Sequence, residues 1–560
     1  MNIKTKLNNL NSETFIDDYL ESCGVIDVDE FKNPTGKYIQ KLDVYKNIKA
    51  KATKFANTVD WCITYTNKKI AIVCDSDVDG LCSTTITYQM ISSVYGTFDH
   101  KFLFHSDKTH GLTPEIMEQI KQDKSISIVI LPDAGSNDIE QISELIDNKI
   151  IVVILDHHQV EQNNVKTLQD PHIIFVNNQL EPQANKNLCG TGVVFKVFQA
   201  YDLLFPEQFK NYLHCLDLVA VANIADVMDM RELENVAINK WGLNALYNPF
   251  LIALCQKYCK KIQGLTPTDI AWGLAPKLNA VCRSDNQEAK RLVLESFCGI
   301  IEEQDFPNTI KAIERCYRKQ RESVKELYET LVSTNNPQDS YSNVVIKFCP
   351  STPYTGLVAN KLMEFYNKPV LLVHENNGLC TGSCRSPIPI RKQIAEFDKI
   401  EFAQGHESAF GVGWRLEDMD KFIEYLGGLE LNYNTEQIVT ATLSPSKIPS
   451  WLFYVTEDYA RCWGTNVEEP RFYIPHIRIN STDIKELGNG TTLKFTYCGI
   501  EYVKFFATKN DKQSLSIGLK KPLTIDLIGS LGVNRYAGRE TLQVKIDKFE
   551  VSEEGWENIW

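Results

Sequence analysis

Between residues 68 and 156 the chain alternates short apolar runs with helical patterns. Lys69 to Cys74 (KIAIVC) has the length and bulk of a strand buried on both faces. It ends in Asp75-Ser76-Asp77-Val78-Asp79-Gly80, and a helical stretch follows to about Tyr95. A second run, Ile126 to Leu131, ends at Pro132-Asp133-Ala134-Gly135, with a helical stretch over 139–147 behind it. A third, Ile150 to Leu155, ends at Asp156-His157-His158. This alternation predicts a βαβαβ unit with a parallel sheet. Polar side chains sit just past each strand's C-terminal end, where open α/β sheets place their sites.

From about 300 to 335 the sequence turns charged and helical, and predicts a long connecting helix. The polar stretch Ser333-Thr334-Asn335-Asn336-Pro337 reads as a boundary. A second α/β unit is expected from about 340 to 428. After about 436 the pattern changes to short strands with turn signals, which predicts a small all-β barrel or sandwich. The predicted order is an N-terminal helical segment (1–64), a catalytic α/β domain (65–299), the connecting helix (300–337), a second α/β domain (338–432) and a β domain (436–560).

At 560 residues the chain is long enough for three or four domains, and 43% hydrophobic with 23% charged residues is ordinary globular composition. No apolar run approaches the ~20 residues that cross a bilayer, and the N-terminus has no apolar core of a secretory signal. The expected compartment is therefore the cytoplasm. Sixteen cysteines form no CxxC pair. Cys255/Cys259 and Cys380/Cys384 lack matching metal-ligand partners, so the thiols read as reduced core residues. A net charge of −13 argues against broad non-specific nucleic-acid binding but leaves room for a local basic groove.

Four strand ends carry acidic or imidazole groups: Asp75/Asp77/Asp79, Asp133, Asp156/His157/His158, and Asp226 in Ala222-Asn223-Ile224-Ala225-Asp226. Crowded carboxylates repel by a few kcal/mol at ~4 Å near a protein surface. Divalent cations remove that cost. Oxygen donors with a few imidazoles suit two Mn2+ or Mg2+ ions, which would clamp a phosphate and activate water. DxDxDG also opens a calcium EF-hand loop, but position twelve is Ile86 instead of glutamate, and a strand precedes the loop.

The motifs DSDVDG, PDAGS, DHH and NIADV, in that order, resemble those of the DHH phosphoesterase family. His110-Gly111-Leu112, Leu188 to Val193 and Leu274 to Arg283 are similar to segments of its RecJ nucleases. Gly356 to Ala359, Gly382 to Ser386 and Gly405 to Gly411 resemble the DHH-associated domain. Gly464 to Asn466, Pro470 to Phe472 and Gly532 to Tyr536 resemble the RecJ OB-fold. The resemblance covers about 65 to 550. Three positions depart from the pattern: Ala134 in the second motif, Gln404 where a glycine is usual, and no arginine after Glu234-Asn235. These mark a divergent member, consistent with a phage origin.

The resemblance implies a 5′-to-3′ exonuclease specific for single-stranded DNA, acting in recombination, repair or replication in a bacterial or phage-infected cell. A helicase or single-strand-binding protein is a candidate partner, and no membrane is. It also implies roles. Asp77 and Asp133, helped by Asp75, hold one ion. Asp79, Asp133, His157 and Asp226 hold the other. His158 lies near the scissile phosphate, and Asp156 orients a histidine. Arg283, Arg385, Ser386, Gly405 and His406 are substrate-binding candidates. Among the many aromatics after 436, most are expected in the core, with Arg535 and Tyr536 as the candidates to lie near DNA. Two other readings stay open: a nanoRNase-like oligonucleotide or nucleoside-bisphosphate phosphatase, and a catalytically inactive DNA-binding scaffold. Retention of every motif carboxylate weighs against the scaffold, and the extra β domain against the small-substrate enzyme.

Overall fold

The computed structural model describes residues 1–552 apart from residues 40, 107, 206–210, 335–342, 432–435, 489 and 537. After a short strand β1 (Ile3–Thr5), the first α/β unit is built on five parallel strands: β2 (Lys69–Cys74), β3 (His100–Phe104), β4 (Ile126–Pro132), β5 (Ile151–Asp156) and β6 (Ile173–Asn177). Their spatial order is β3-β2-β4-β5-β6. Alternation explains why these runs are apolar throughout. Ile70, Ile72, Ile128, Ile130, Val153 and Leu155 face one core, while Ala71, Val73, Val129, Leu131, Val152 and Ile154 face another. Burying each such side chain stabilises by roughly 1.5–3 kcal/mol. The strands have no solvated face, so the polar residues are pushed to their ends.

The predicted helices lie at Val78–Tyr95 and Ile139–Asp147. Two strands, β3 and β6, were not expected. His100 and Lys101 interrupt the apolar pattern of β3, which stands at the edge of the sheet. A further difference concerns Asp226. It does not end a strand; it caps the C-terminus of the helix Leu216–Ala225. This segment (LDLVAVANIA) is buried almost all round, and apolar periodicity cannot tell a buried helix from a buried strand.

The long helix runs from Phe306 to Ser333 and leads to a second sheet. Its strands are β7 (Val345–Phe348), β8 (Val370–Asn376), β9 (Leu379–Arg385), β10 (Ile400–His406) and β11 (Ala409–Arg415), in the order β10-β11-β9-β8-β7. Only β7 and β8 pair in parallel. The boundaries expected at 337/338 and at 432 fall outside the described residues.

The C-terminal unit is a seven-stranded sheet of β13 to β19: Ala441–Thr442, Arg471–Asn480, Lys485–Leu487, Thr492–Tyr497, Ile500–Phe505, Pro522–Tyr536 and Arg539–Ser552. Two helices, Ser450–Asp458 and Lys509–Ser514, belong to it as well. Ser450–Asp458 buries Leu452 and Phe453 against the sheet's core. The N-terminal segment is divided between units. Its helix Ile48–Tyr65 packs into the first core, whereas Phe15 joins the C-terminal core and β1 pairs with β12 (Gln437–Val439). No helix among the described residues is long and apolar enough to cross a membrane.

Candidate metal centre

The carboxylates converge where β2, β4 and β5 end. Asp77 caps the helix Val78–Tyr95, accepting from the Gly80 N–H at 3.1 Å. Two residues on, in the first turn, Asp79 reaches across to the start of the helix Gly190–Asp202 and accepts from the N–H groups of Gly190 and Thr191, both at 2.8 Å. That contact requires glycine: a Cβ on residue 190 would stand 2.2 Å from Asp133 Oδ1. Asp133 itself has φ +70°, and Val227, next to Asp226, has φ +58°. Left-handed backbone is tolerable for aspartate but costly for a β-branched residue, and such outliers cluster at functional sites.

His157 gathers the group. Its Nε2 lies 3.3 Å from Asp133, 3.7 Å from Asp226 and 3.8 Å from Asp79. Three sets each bring their ligand atoms within 4.8 Å of one another: Asp79/His157/Asp226 and Asp133/His157/His158, which share His157, and separately Asp75/Asp77/His110. Asp133 Oδ1 is buried without a hydrogen-bond partner. A buried acceptor left unmade costs about 1–3 kcal/mol, so this atom fits a cation ligand.

Charge perturbations follow the same logic. Burial, then Asp79, Asp77, Asp75 and Asp226, pushes Asp133 well above the carboxylate range. Burial, then Asp79 and Asp77, lifts Asp226 to about 8. Both shifts record carboxylates pressed together without a counter-charge, and divalent ions would reverse them. Burial holds His157 below its ordinary value, in the neutral form that binds metal. Asp156 turns away from the cluster. It accepts from the N–H groups of Ser136, His157 and His158 and from His158 Nδ1 at 2.8 Å. Burial opposes a charged His158, but the Asp156 carboxylate outweighs it and raises that imidazole to about 9. With Nδ1 engaged, His158 presents its other nitrogen as a donor.

The substrate-binding candidates divide. Arg283 caps the helix Ala275–Cys282, and its Nε is buried without a partner. Arg385 ends β9, donates to the Cys384 carbonyl at 2.7 Å and packs on Gly356, where a Cβ would meet its Nη2 at 2.5 Å. Neither arginine has a carboxylate partner among the described residues. Lys108 was not singled out from the sequence. Partial desolvation, then the nearby Arg283 and Arg385, lower its ammonium to about 8. Three cations, none in an ion pair among the described residues, lie near one another and beside the carboxylate cluster, which suits an anion such as a phosphate. Ser386 does not join them, because its hydroxyl is buried and turned to the Ile388 carbonyl. Gly405, at φ +130°, and His406 lie exposed at the tip of the β10–β11 hairpin. In register, Arg385, Ala409 and His406 form one row across three strands, so Arg385 and His406 share a face. Arg535 is paired with Glu457 and Glu540, and the Tyr536 side chain falls outside the described residues.

Sequence reasoning also missed His105 and His110. Both reach Asp75 from the loop after β3, whose own strand was not foreseen. The HGL segment was the one available signal.

Comparison with known proteins matches this arrangement. The profile for the DHH family, N-terminal domain, matches residues 69–222, and that for the RecJ OB domain matches residues 441–548. A prophage-derived protein of Bacillus subtilis, provisionally named a single-strand DNA-specific exonuclease, is 28% identical over 541 residues, covering 90% of this chain and 91% of its own. The single-stranded-DNA-specific exonuclease RecJ of Escherichia coli is 22% identical over 536 residues, covering 88% and 87%. In fold, the chain is similar to RecJ of Thermus thermophilus in complex with Mn2+, at TM-score 0.73 and 19% identity, over 95% of this chain and 75% of that one. The chain thus carries a DHH-family N-terminal domain over residues 69–222 and a RecJ OB domain over residues 441–548, and is similar to RecJ proteins along most of its length.

Proposed function

We propose that this chain is a metal-dependent exonuclease for single-stranded DNA. The observation that carries the reading is the buried, unpartnered Asp133 oxygen amid Asp79, His157 and Asp226. Such a donor set fits Mn2+ or Mg2+, and solved RecJ structures with each of these ions share the fold. Two bound ions would supply a nucleophilic hydroxide and neutralise charge developing on the phosphate.

The protein's own groups then have defined work. Asp79, Asp133, His157 and Asp226 would hold one ion, and Asp77 and Asp133, helped by Asp75, the other. His158, fixed by Asp156, donates to a phosphate oxygen. Arg283, Arg385 and Lys108 receive the phosphates on either side, Arg because its planar fork matches them. The OB domain retains the rest of the strand, which favours a polymer over the small substrates of a nanoRNase-like phosphatase. Specificity for single strands makes a helicase the natural partner, in recombination, repair or replication in the cytoplasm. Digestion from the 5′ end rests on the family likeness.

The test uses oligonucleotides labelled separately at each end. With Mn2+, release of mononucleotides from the 5′ end of single strands, slow attack on blunt duplex, and no activity in excess chelator are expected. Full activity in chelator overturns the metal reading, and release from the 3′ label first overturns the polarity.

A further inference from the structure

We propose that His110 is itself a metal ligand, completing with Asp75 and Asp77 a second ion position with one nitrogen and two carboxylate donors. The inference rests on the metal-dependent reading above and adds a residue to it.

The loop after β3 is pinned over the cluster by its backbone. The Gly111 N–H donates to Asp75 Oδ1 at 3.3 Å, and the Leu112 N–H to Asp138 Oδ2 at 2.8 Å. Gly111 has φ +69°, and a Cβ there would meet Asp138 Oδ2 at 2.2 Å, so the loop has little freedom to carry His110 elsewhere. The imidazole is half exposed, and its Nδ1 lies 2.5 Å from Asp75 Oδ2. Its ligand atom falls within 4.8 Å of those of both Asp75 and Asp77.

A second observation points the same way. His105 Nε2, fully buried and without a hydrogen bond, is aimed at Asp75 Oδ1 from 3.5 Å. The opposite oxygen of Asp75 is therefore backed by one imidazole while its other oxygen meets a second. His110 Nδ1 and Asp75 Oδ2 are thus adjacent donor atoms that a cation could take in place of their hydrogen bond. His105 remains behind as the group that orients the carboxylate.

The composition of the other position supports the assignment. Asp79, His157 and Asp226 also combine one imidazole with two carboxylates. With His110 counted, both halves of the centre have the same donor types on either side of Asp133. A nitrogen donor favours later first-row ions over Mg2+, which suits oxygen-only sites. His110 is thus the residue that would set Mn2+ above Mg2+ at this position.

The experiment measures metal binding to the full chain without DNA. Chelator-treated wild type, His110→Ala, His110→Gln and His110→Asp are titrated with Mn2+ and with Mg2+ by calorimetry and by the loss of free Mn2+ signal in electron paramagnetic resonance. Wild type should bind two Mn2+. His110→Ala and His110→Gln should keep one site and weaken the other by at least about ten- to a hundredfold for Mn2+, with a smaller change for Mg2+. His110→Asp should recover binding with the preference moved toward Mg2+. Unchanged Mn2+ affinity at both sites in the Ala and Gln variants overturns the proposal, leaving His110 as a group that only orients Asp75. Loss of both ions together also overturns it. Because no substrate is present, a wild type that binds two ions but cuts no DNA would refute the nuclease reading and leave this one standing.

Discussion

The two α/β sheets hold their functional side chains in opposite ways. Where β2, β4 and β5 end, backbone N–H groups lock the carboxylates: Gly111 on Asp75, Gly190 and Thr191 on Asp79, and Ser136, His157 and His158 on Asp156. In the second sheet, Arg385 has one hydrogen bond to a carbonyl, and His406 has none among the described residues. The difference follows from topology. A parallel sheet buried on both faces ends abruptly in loops and beside the start of the helix Gly190–Asp202, and the free N–H groups there bind carboxylates. The β10–β11 hairpin tip satisfies its own backbone and leaves His406 exposed, while Arg385 ends β9 partly buried with only the Cys384 carbonyl to hold its head. The first arrangement is organised before substrate arrives. If the second receives substrate as proposed, substrate must order it, at up to about 1.5–2 kcal/mol for a long side chain. Variants in the first sheet should therefore lose turnover, and variants in the second should lose affinity.

The largest expected effect belongs to Asp133→Asn. The amide keeps the shape but lacks the charge that would hold a cation, so turnover should fall by roughly a thousandfold or more, beyond the ten- to hundredfold typical of a supporting group. The same change removes a carboxyl whose ionisation is opposed by burial and then by Asp79, Asp77, Asp75 and Asp226, so the variant folds without having to take up a proton there. In chelator, the variant should therefore melt at or above the wild-type temperature, while added Mn2+ should stabilise only the wild type strongly. An Asp133→Asn protein that melts far lower in chelator would mean the carboxylate is structural, and the comparison would lose its first half.

A smaller effect is expected from Arg385→Ala. Losing a charged phosphate contact costs on the order of 1.5–3 kcal/mol, or roughly ten- to a hundredfold. It should appear in KM and in preference for a phosphorylated end, with metal binding unchanged. His406→Ala should move the same quantities less, because nothing yet holds that imidazole. If Arg385→Ala instead lowers kcat alone, the second sheet is as preorganised as the first.

Much of the first sheet was legible because its signals are local. An apolar run followed at once by Asp-Ser-Asp or Asp-His-His needs no knowledge of distant residues. Asp226 was legible as a motif but not as a helix cap, since LDLVAVANIA is apolar in every direction. His105 and His110 were not legible as neighbours of Asp75. Their loop follows β3, a strand whose first residues are histidine and lysine, and only the pairing of β3 with β2 brings them over the cluster. Lys108 belongs to the same loop. Ser386 shows the reverse error: the motif marks a turn, and the hydroxyl serves that turn by bonding to Ile388.

The smallest expected effect lies in the C-terminal sheet, where most aromatics were expected in the core. Phe453, Trp463 and Phe472 are there, but Phe506 is 90% exposed, with φ +55°. A bulky residue in the left-handed region costs about 1–2 kcal/mol relative to a relaxed backbone, and exposure gives nothing back. The neighbouring Phe505 is also exposed, at 46%. Two adjacent rings held out from the OB sheet suit stacking on bases, worth about 1–3 kcal/mol each. Phe506→Ala should therefore weaken binding of a long single strand by roughly five- to a hundredfold, and leave hydrolysis of a few-nucleotide substrate unchanged. Phe506→Gly should weaken binding equally while raising the melting temperature, because glycine adopts this φ without penalty. Wild-type affinity in both variants would show that the ring is exposed without touching DNA, and that the strand is retained elsewhere on the sheet.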